Sequence, residues 1–385
     1  MLRNVCGALL LALLVHEADG ATITVRKDGT GDFSVIHLAV NAAADGDTIL
    51  IGPGEFTETR SVRLPDWGTN VLTHGDVQVR SLTIIGAGEG VTVIGPASYA
   101  WDGTYGPHGL SMTRMDHELY ISDLTIRNCY SGLYFKGSLR AERCELRNND
   151  SGIWATLVGT LNLIRDCRFS GQDPFPPTGI ATLATSSGLQ VEECQFSGAM
   201  AYVRNSDVTF RRCRFDGGNM GIDVINGAHC QIWDCDITNV SYGLKTYLGS
   251  PPSHCDIYNS RIAGSFAALL IDQRTSATVQ GSVLTGGSTA VIYASDSESL
   301  SIHDCDFVKG SGPVVLCHRP AAWGAVIYDL ADNYWGTADG AQIRDWIIDS
   351  GDDSSIYATV IYTPFAGQSV PAETTTWGDL KALWR

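Results

Sequence analysis

Phe210-Arg211-Arg212-Cys213-Arg214-Phe215 reads as one unit of a repeat: apolar-x-x-Cys-x-apolar. The unit returns as Val191-Glu192-Glu193-Cys194-Gln195-Phe196, Ile232-Trp233-Asp234-Cys235-Asp236-Ile237 and Ile302-His303-Asp304-Cys305-Asp306-Phe307. Leu82, Leu124, Cys144, Cys167, Ser260 and Ser282 hold the cysteine place in further copies. The seven steps from Cys144 to Cys305 average about 23 residues, a period that means a solenoid. Two residues after the cysteine place stand Ile84, Ile126, Leu146, Phe169, Phe196, Phe215, Ile237, Ile262, Leu284 and Phe307, so that position faces inward.

On eight rungs a turn or small residue comes eight residues after the cysteine place, at Gly90, Gly132, Gly152, Gly221, Gly243, Ala268, Ala290 and Pro313; the Cys167 rung reaches Gly179 after four extra residues, and the Cys194 rung is ambiguous by one residue around Ala201. Short strands at this spacing leave no room for a crossover helix, which excludes a βαβ architecture. The expected fold is all-β: a right-handed parallel β-helix whose coils stack about 4.8 Å apart around one core. A small polarisable thiol suits an inward ladder, so most cysteines are expected to be free and buried. Cys230 and Cys255, on consecutive rungs, are the best disulfide candidates. The cysteines lack Cys-x-x-Cys spacing and are not expected to hold a metal.

The ends read as caps and appendages. Arg3 followed by the apolar run Val5 to Val15 and the small residues near Ala18 marks residues 1–20 as a signal peptide, too short to span a bilayer. Residues 21–370 form a single β-helix domain, and 371–385 form a linker with an amphipathic tail. Residues 33–44, through Phe33, Ile36, Val40 and Ala43, predict a helix that plugs the first coil, and 341–348 predict one that closes the last. A secreted protein, extracellular or periplasmic and without a membrane span, follows. With 26 basic against 42 acidic residues and a net charge of −16, the chain lacks the basic face that a nucleic-acid partner requires.

Val25-Arg26-Lys27-Asp28-Gly29-Thr30-Gly31-Asp32-Phe33 and Gly52-Pro53-Gly54-Glu55-Phe56-Thr57-Glu58 resemble the opening of pectin methylesterases and related parallel β-helix proteins of the pectate lyase-like superfamily. Asn333-Tyr334-Trp335-Gly336-Thr337 resembles the closing coil of secreted β-helix repeat proteins. The resemblance implies the fold; the family's functions range over lyases, hydrolases, esterases and non-catalytic surface proteins. The esterase aspartates, in Gln-Asp-Thr-Leu and Asp-Phe-Ile-Phe-Gly, and the arginine of Leu-Gly-Arg-Pro-Trp are absent, as are polygalacturonase-like and pectate-lyase-like catalytic sets.

Charges beside the ladder meet the opposite sign on a neighbouring rung in six contacts and the same sign in one, Asp166 with Glu193, which reads as register chemistry rather than catalysis. Asp304 and Asp306, with Asp329 one rung later, break that pattern and form the candidate metal site, with calcium as the cofactor; a solvated acidic face is the bland alternative. Tyr134 and Trp154 fall at the same outward position on successive rungs and form a candidate substrate-binding platform, with Trp101 and Tyr105 in an insertion from about 95 to 117 over them. Leu270, Ile292 and Val315 read as an apolar strip at the far end of that column, covered by the tail or by self-association. Two functions stay open: an exported, non-catalytic solenoid that binds polysaccharide or a cell-surface glycan partner, and a polysaccharide lyase, hydrolase or esterase with unrecognised catalytic residues.

Overall fold

A computed structural model describes residues 20–63, 70–98, 106–157, 162–171, 178–183, 188–247 and 249–369. Among them 33 strands pair almost throughout in parallel, each with the equivalent strand one coil away. The fold is a right-handed parallel β-helix. Each coil contributes to three sheets. Sheet one holds five-residue strands such as Asp207–Arg211, His229–Trp233 and His254–Tyr258. Sheet two holds three-residue strands such as Gln195–Ser197 and Arg214–Asp216. Sheet three holds Met200–Arg204, Met220–Ile225 and their equivalents.

The expected inward column is buried on every rung, from Ile84 to Phe307, with no member more than 2% exposed. Phe169, Phe196 and Phe215 stack face to face, with centroids 4.7 and 4.2 Å apart. Each buried side chain of this kind contributes about 1.5–3 kcal/mol, and each ring pair about 0.5–1.5 kcal/mol more.

The cysteine place does more than fill space. The residue before it turns the chain from sheet one into sheet two in the left-handed conformation, with φ of 50° at Arg143, 56° at Glu193, 51° at Arg212 and 55° at Asp304. That corner takes one backbone N–H out of the ladder of strand hydrogen bonds, and the next coil supplies its acceptor. The N–H of Cys213 donates to Cys235 Sγ at 3.4 Å, that of Cys235 to Ser260 Oγ, that of Ser260 to Ser282 Oγ, that of Ser282 to Cys305 Sγ and that of Cys305 to Asn333 Oδ1 at 2.8 Å. Cys235 and Cys305 in turn donate to the carbonyl two residues before them. From Cys213 to Asn333 the column therefore favours small side chains that accept from the neighbouring coil, which is why Ser and Asn share it with Cys there. All ten described cysteines are buried and free, including Cys230 and Cys255, which are direct register partners.

The caps differ slightly from expectation. Helix α1 (Ile36–Ala42) buries Ile36, Ala39 and Val40 against the first coil. At the other end helix α2 (Gly340–Asp345) is N-capped by Asp339 and buries Ile343, but it stops before Ile347, which pairs with Val315 as a strand. The tail from 370 onward lies outside the described residues, as do residues 1–19 of the expected signal peptide.

Two expectations fail on register and coverage. The apolar strip is not a strip: Leu269, not Leu270, pairs with Ile292, which pairs with Val315, and both Ile292 and Val315 are fully buried. The turn before Ile292 is one residue longer than its predecessor, and in a strand one residue exchanges the two faces. Likewise the segment 95–117 is not simply an inserted loop. His108–Met112 is a strand of sheet three, paired with both Asn70–Asp76 and the strand that carries Tyr134.

Candidate functional site

Tyr134 and Trp154 are register neighbours on the outer face of sheet three, as the repeat requires. They do not form an open two-ring platform. Tyr134 is only 3% exposed, because Arg60–Arg63 and Asn70–Asp76 pair as an antiparallel hairpin and Val62 packs on the tyrosine. The His108 ring also lies 5.3 Å from the Tyr134 ring. Trp154 packs partly against this cluster and keeps accessible surface. Trp101 and Tyr105 lie outside the described residues.

Beyond Trp154 the same outward column runs through Ala181, Tyr202, Asp223 and Lys245. Asp223 is 3% exposed, and its Oδ1 receives no hydrogen bond. Burial raises its carboxyl to about 6, against the opposing pull of the Lys245 charge and of the Val224 N–H. Lys245 is half-buried with its ammonium 4.5 Å from the centroid of the Tyr247 ring. Burial also raises the phenols of Tyr202 and Tyr247, the first helped by Tyr247 and the second by Asp223. Arg204, one position along from Tyr202's neighbour Val203, stands exposed at the edge of this group.

The chemistry of the group follows from its parts. A carboxyl that titrates near neutrality can donate or accept a proton, the ammonium supplies a fixed positive charge, and the phenols offer both hydrogen bonds and ring faces. Asp223 and Lys245 sit at the outward position of consecutive rungs, which the repeat alone places together. Their burial is what the repeat does not report.

The carboxylates expected to hold calcium are not gathered. Asp304 lies in the corner turn and accepts from Gln280 Nε2 at 3.3 Å, Asp306 is on sheet two and accepts from Ser369, and Asp329 is on sheet one, 3.5 Å from His303 Nε2. The corner separates the faces on which they project. Among the described residues the one group with metal-ligand spacing is His229, His254 and Asp256 on sheet one. Its sequence signal is the pair His229-Cys230-Gln231-Ile232-Trp233 and His254-Cys255-Asp256-Ile257-Tyr258, where alternate residues project outward. On that face Trp233 and Tyr258 stack on each other at 4.0 Å, with the Arg211 guanidinium 5.3 Å from the Trp233 ring, so ring faces there are already covered.

Fold and surface together define a right-handed parallel β-helix protein. Residues 108–262 match the family described as "Right handed beta helix region". No curated protein matches the chain. Among solved structures it is similar to a pectate lyase, Pel9A, at 11% identity over 93% of this chain and 82% of that one, with a TM-score of 0.28. Among the described residues no helix is long and apolar enough to cross a membrane.

Proposed function

We propose that the protein is an exported β-helix that binds polysaccharide lengthwise along the outer face of sheet three. The observation that carries this is the column Trp154, Ala181, Tyr202, Asp223 and Lys245. A small residue lies between two aromatic ones, and a carboxyl and an ammonium follow on the next two rungs. Rungs recur about every 4.8 Å, close to the advance of one sugar unit along an extended glycan, so a glycan following the rungs can meet the accessible Trp154, Tyr202 and Lys245. The rings of Trp154 and Tyr202 take sugar faces, and the half-buried Lys245 takes hydroxyls, whereas Ala181 and Asp223, each 3% exposed, offer a ligand little surface. Export rests on the segment from Arg3 to Val15.

A second reading has one specific observation in its favour. A nearly buried carboxyl raised to about 6 beside a lysine is the kind of group that moves protons in glycosidic chemistry, which would make the same face catalytic. A glycan array followed by product analysis on the hits separates the two. Binding without cleavage supports the first reading. Cleavage that Asp223→Asn abolishes while binding persists supports the second, and no hit in the array removes both.

A further inference from the structure

We propose that His229, His254 and Asp256 form a binding site for a divalent transition-metal ion of the zinc class. It lies on the outer face of sheet one, apart from the sheet-three column. His229 and His254 are direct register partners on adjacent rungs, with ring centroids 5.6 Å apart. Asp256 projects on the same face two residues beyond His254.

Both imidazoles aim the same nitrogen at that carboxylate: His229 Nε2 lies 2.8 Å from Oδ2, and His254 Nε2 lies 2.9 Å from Oδ1. The three ligand atoms lie within 4.8 Å of one another. An ion with bonds of about 2.0–2.2 Å to nitrogen and oxygen can therefore reach all three with small side-chain rotations and no backbone change.

Three further features fit a metal better than a mere ion-pair cluster. Ser276, on the following rung, contacts His254 Nδ1 at 2.6 Å. When His254 Nδ1–H donates a hydrogen bond to this hydroxyl, the Nε2 lone pair is left free to ligate, an outer contact that orients a metal-bound histidine. The two histidines are 41% and 38% exposed and the aspartate 15%, so an ion can enter and a water can take the remaining position. Two imidazoles and one carboxylate select zinc, cobalt, nickel or copper over calcium and magnesium, which prefer all-oxygen shells. The ligands come from two coils, so a bound ion also ties those coils together and stabilises the folded state by linkage.

The test is calorimetric titration of tag-free protein with zinc chloride, paralleled by visible absorption on adding cobalt(II). One ion per chain is expected, with a cobalt spectrum of low-symmetry nitrogen and oxygen ligation and a rise in melting temperature with zinc. His229→Ala and His254→Ala should each weaken binding at least about tenfold, and Ser276→Ala about tenfold through loss of orientation. His303→Ala, on the same face but in a later coil, should bind as the parent does. Each variant is checked by circular dichroism without metal, and Asp256→Asn, which keeps the shape, provides a second route if an alanine variant misfolds. No zinc binding, or binding left intact in both histidine variants and in Asp256→Asn, overturns the proposal.

Discussion

Asp223 and Lys245 are register partners on adjacent rungs of sheet three, yet the carboxyl is 3% exposed with one oxygen lacking any hydrogen bond. Stacking alone would have produced an ordinary exposed ion pair. The burial that raises Asp223 to about 6 turns it into a group that changes charge near neutrality.

Stability should report that directly. The folded carboxyl titrates near 6, against 3.8 for the ordinary group, so the folded state holds the proton more tightly across that window. Stability from this site is full below about 4 and falls as pH rises through 6. Asp223→Asn should therefore be more stable than the parent well above pH 6, by at most about 3 kcal/mol, and the difference should vanish in acid. Burial holds His74 and His108 down near 4 and pulls the parent curve the opposite way, but these groups are common to both proteins and cancel in the difference. Urea unfolding at a series of pH values measures it, and a pH-independent difference would show that the carboxyl is not perturbed.

On the outer face, the rings should separate by role. Trp154→Ala and Tyr202→Ala should each weaken glycan binding roughly tenfold while lowering stability less than Tyr134→Ala does. Tyr134→Ala should instead destabilise the protein by about 2–4 kcal/mol, because this ring is packed beneath Val62 rather than offered to ligand. Array binding and thermal melts on the three variants check this.

The ladder of small polar side chains predicts a sharp effect at its last described member. Asn333 is fully buried; its Oδ1 accepts from Cys305 N–H, and its Nδ2 donates to the carbonyls of Ile302, Leu330 and Ala331. Asn333→Ala should cost about 3 kcal/mol by orphaning several of these groups at once. Asn333→Asp should cost at least as much, since a carboxylate cannot donate to three carbonyls. A substitution cost below about 1 kcal/mol in denaturant unfolding would mean that the column is packing alone.

All ten described cysteines should titrate as free thiols in denatured, unreduced protein and stay inert while folded. Burial pushes the thiols of Cys305 and Cys317 up to about 12, so almost no thiolate is present at neutral pH. Cys213→Ala should be tolerated at a modest cavity cost, whereas Cys213→Asp buries an uncompensated charge and should prevent folding.

The fold was legible in the sequence because a solenoid repeats one local solution. Each coil meets the same requirement, an inward Phe or Ile and a small corner residue, and writes it again about 23 residues later. The corner itself was only half legible. Arg143 and Arg212 read as charges that set register, and they do bridge Asp123 and Glu193, at 2.7 and 3.0 Å. Nothing in an arginine announces the left-handed backbone it adopts there.

The sequence by itself determined the parallel β-helix, the inward Phe column, the cysteine ladder and the placing of Tyr134 beside Trp154. Those depend on spacing within a coil, and spacing is what a sequence records. Only the tertiary structure decided that Val62 covers Tyr134, that a turn one residue longer sends Ile292 and Val315 into the core, and that Asp304, Asp306 and Asp329 project from different faces. It also decided that Asp223 is buried and that His229, His254 and Asp256 converge. Each of these depends on what another coil or an antiparallel hairpin places over a side chain, and on a corner that redirects its neighbours, and no repeat period encodes either.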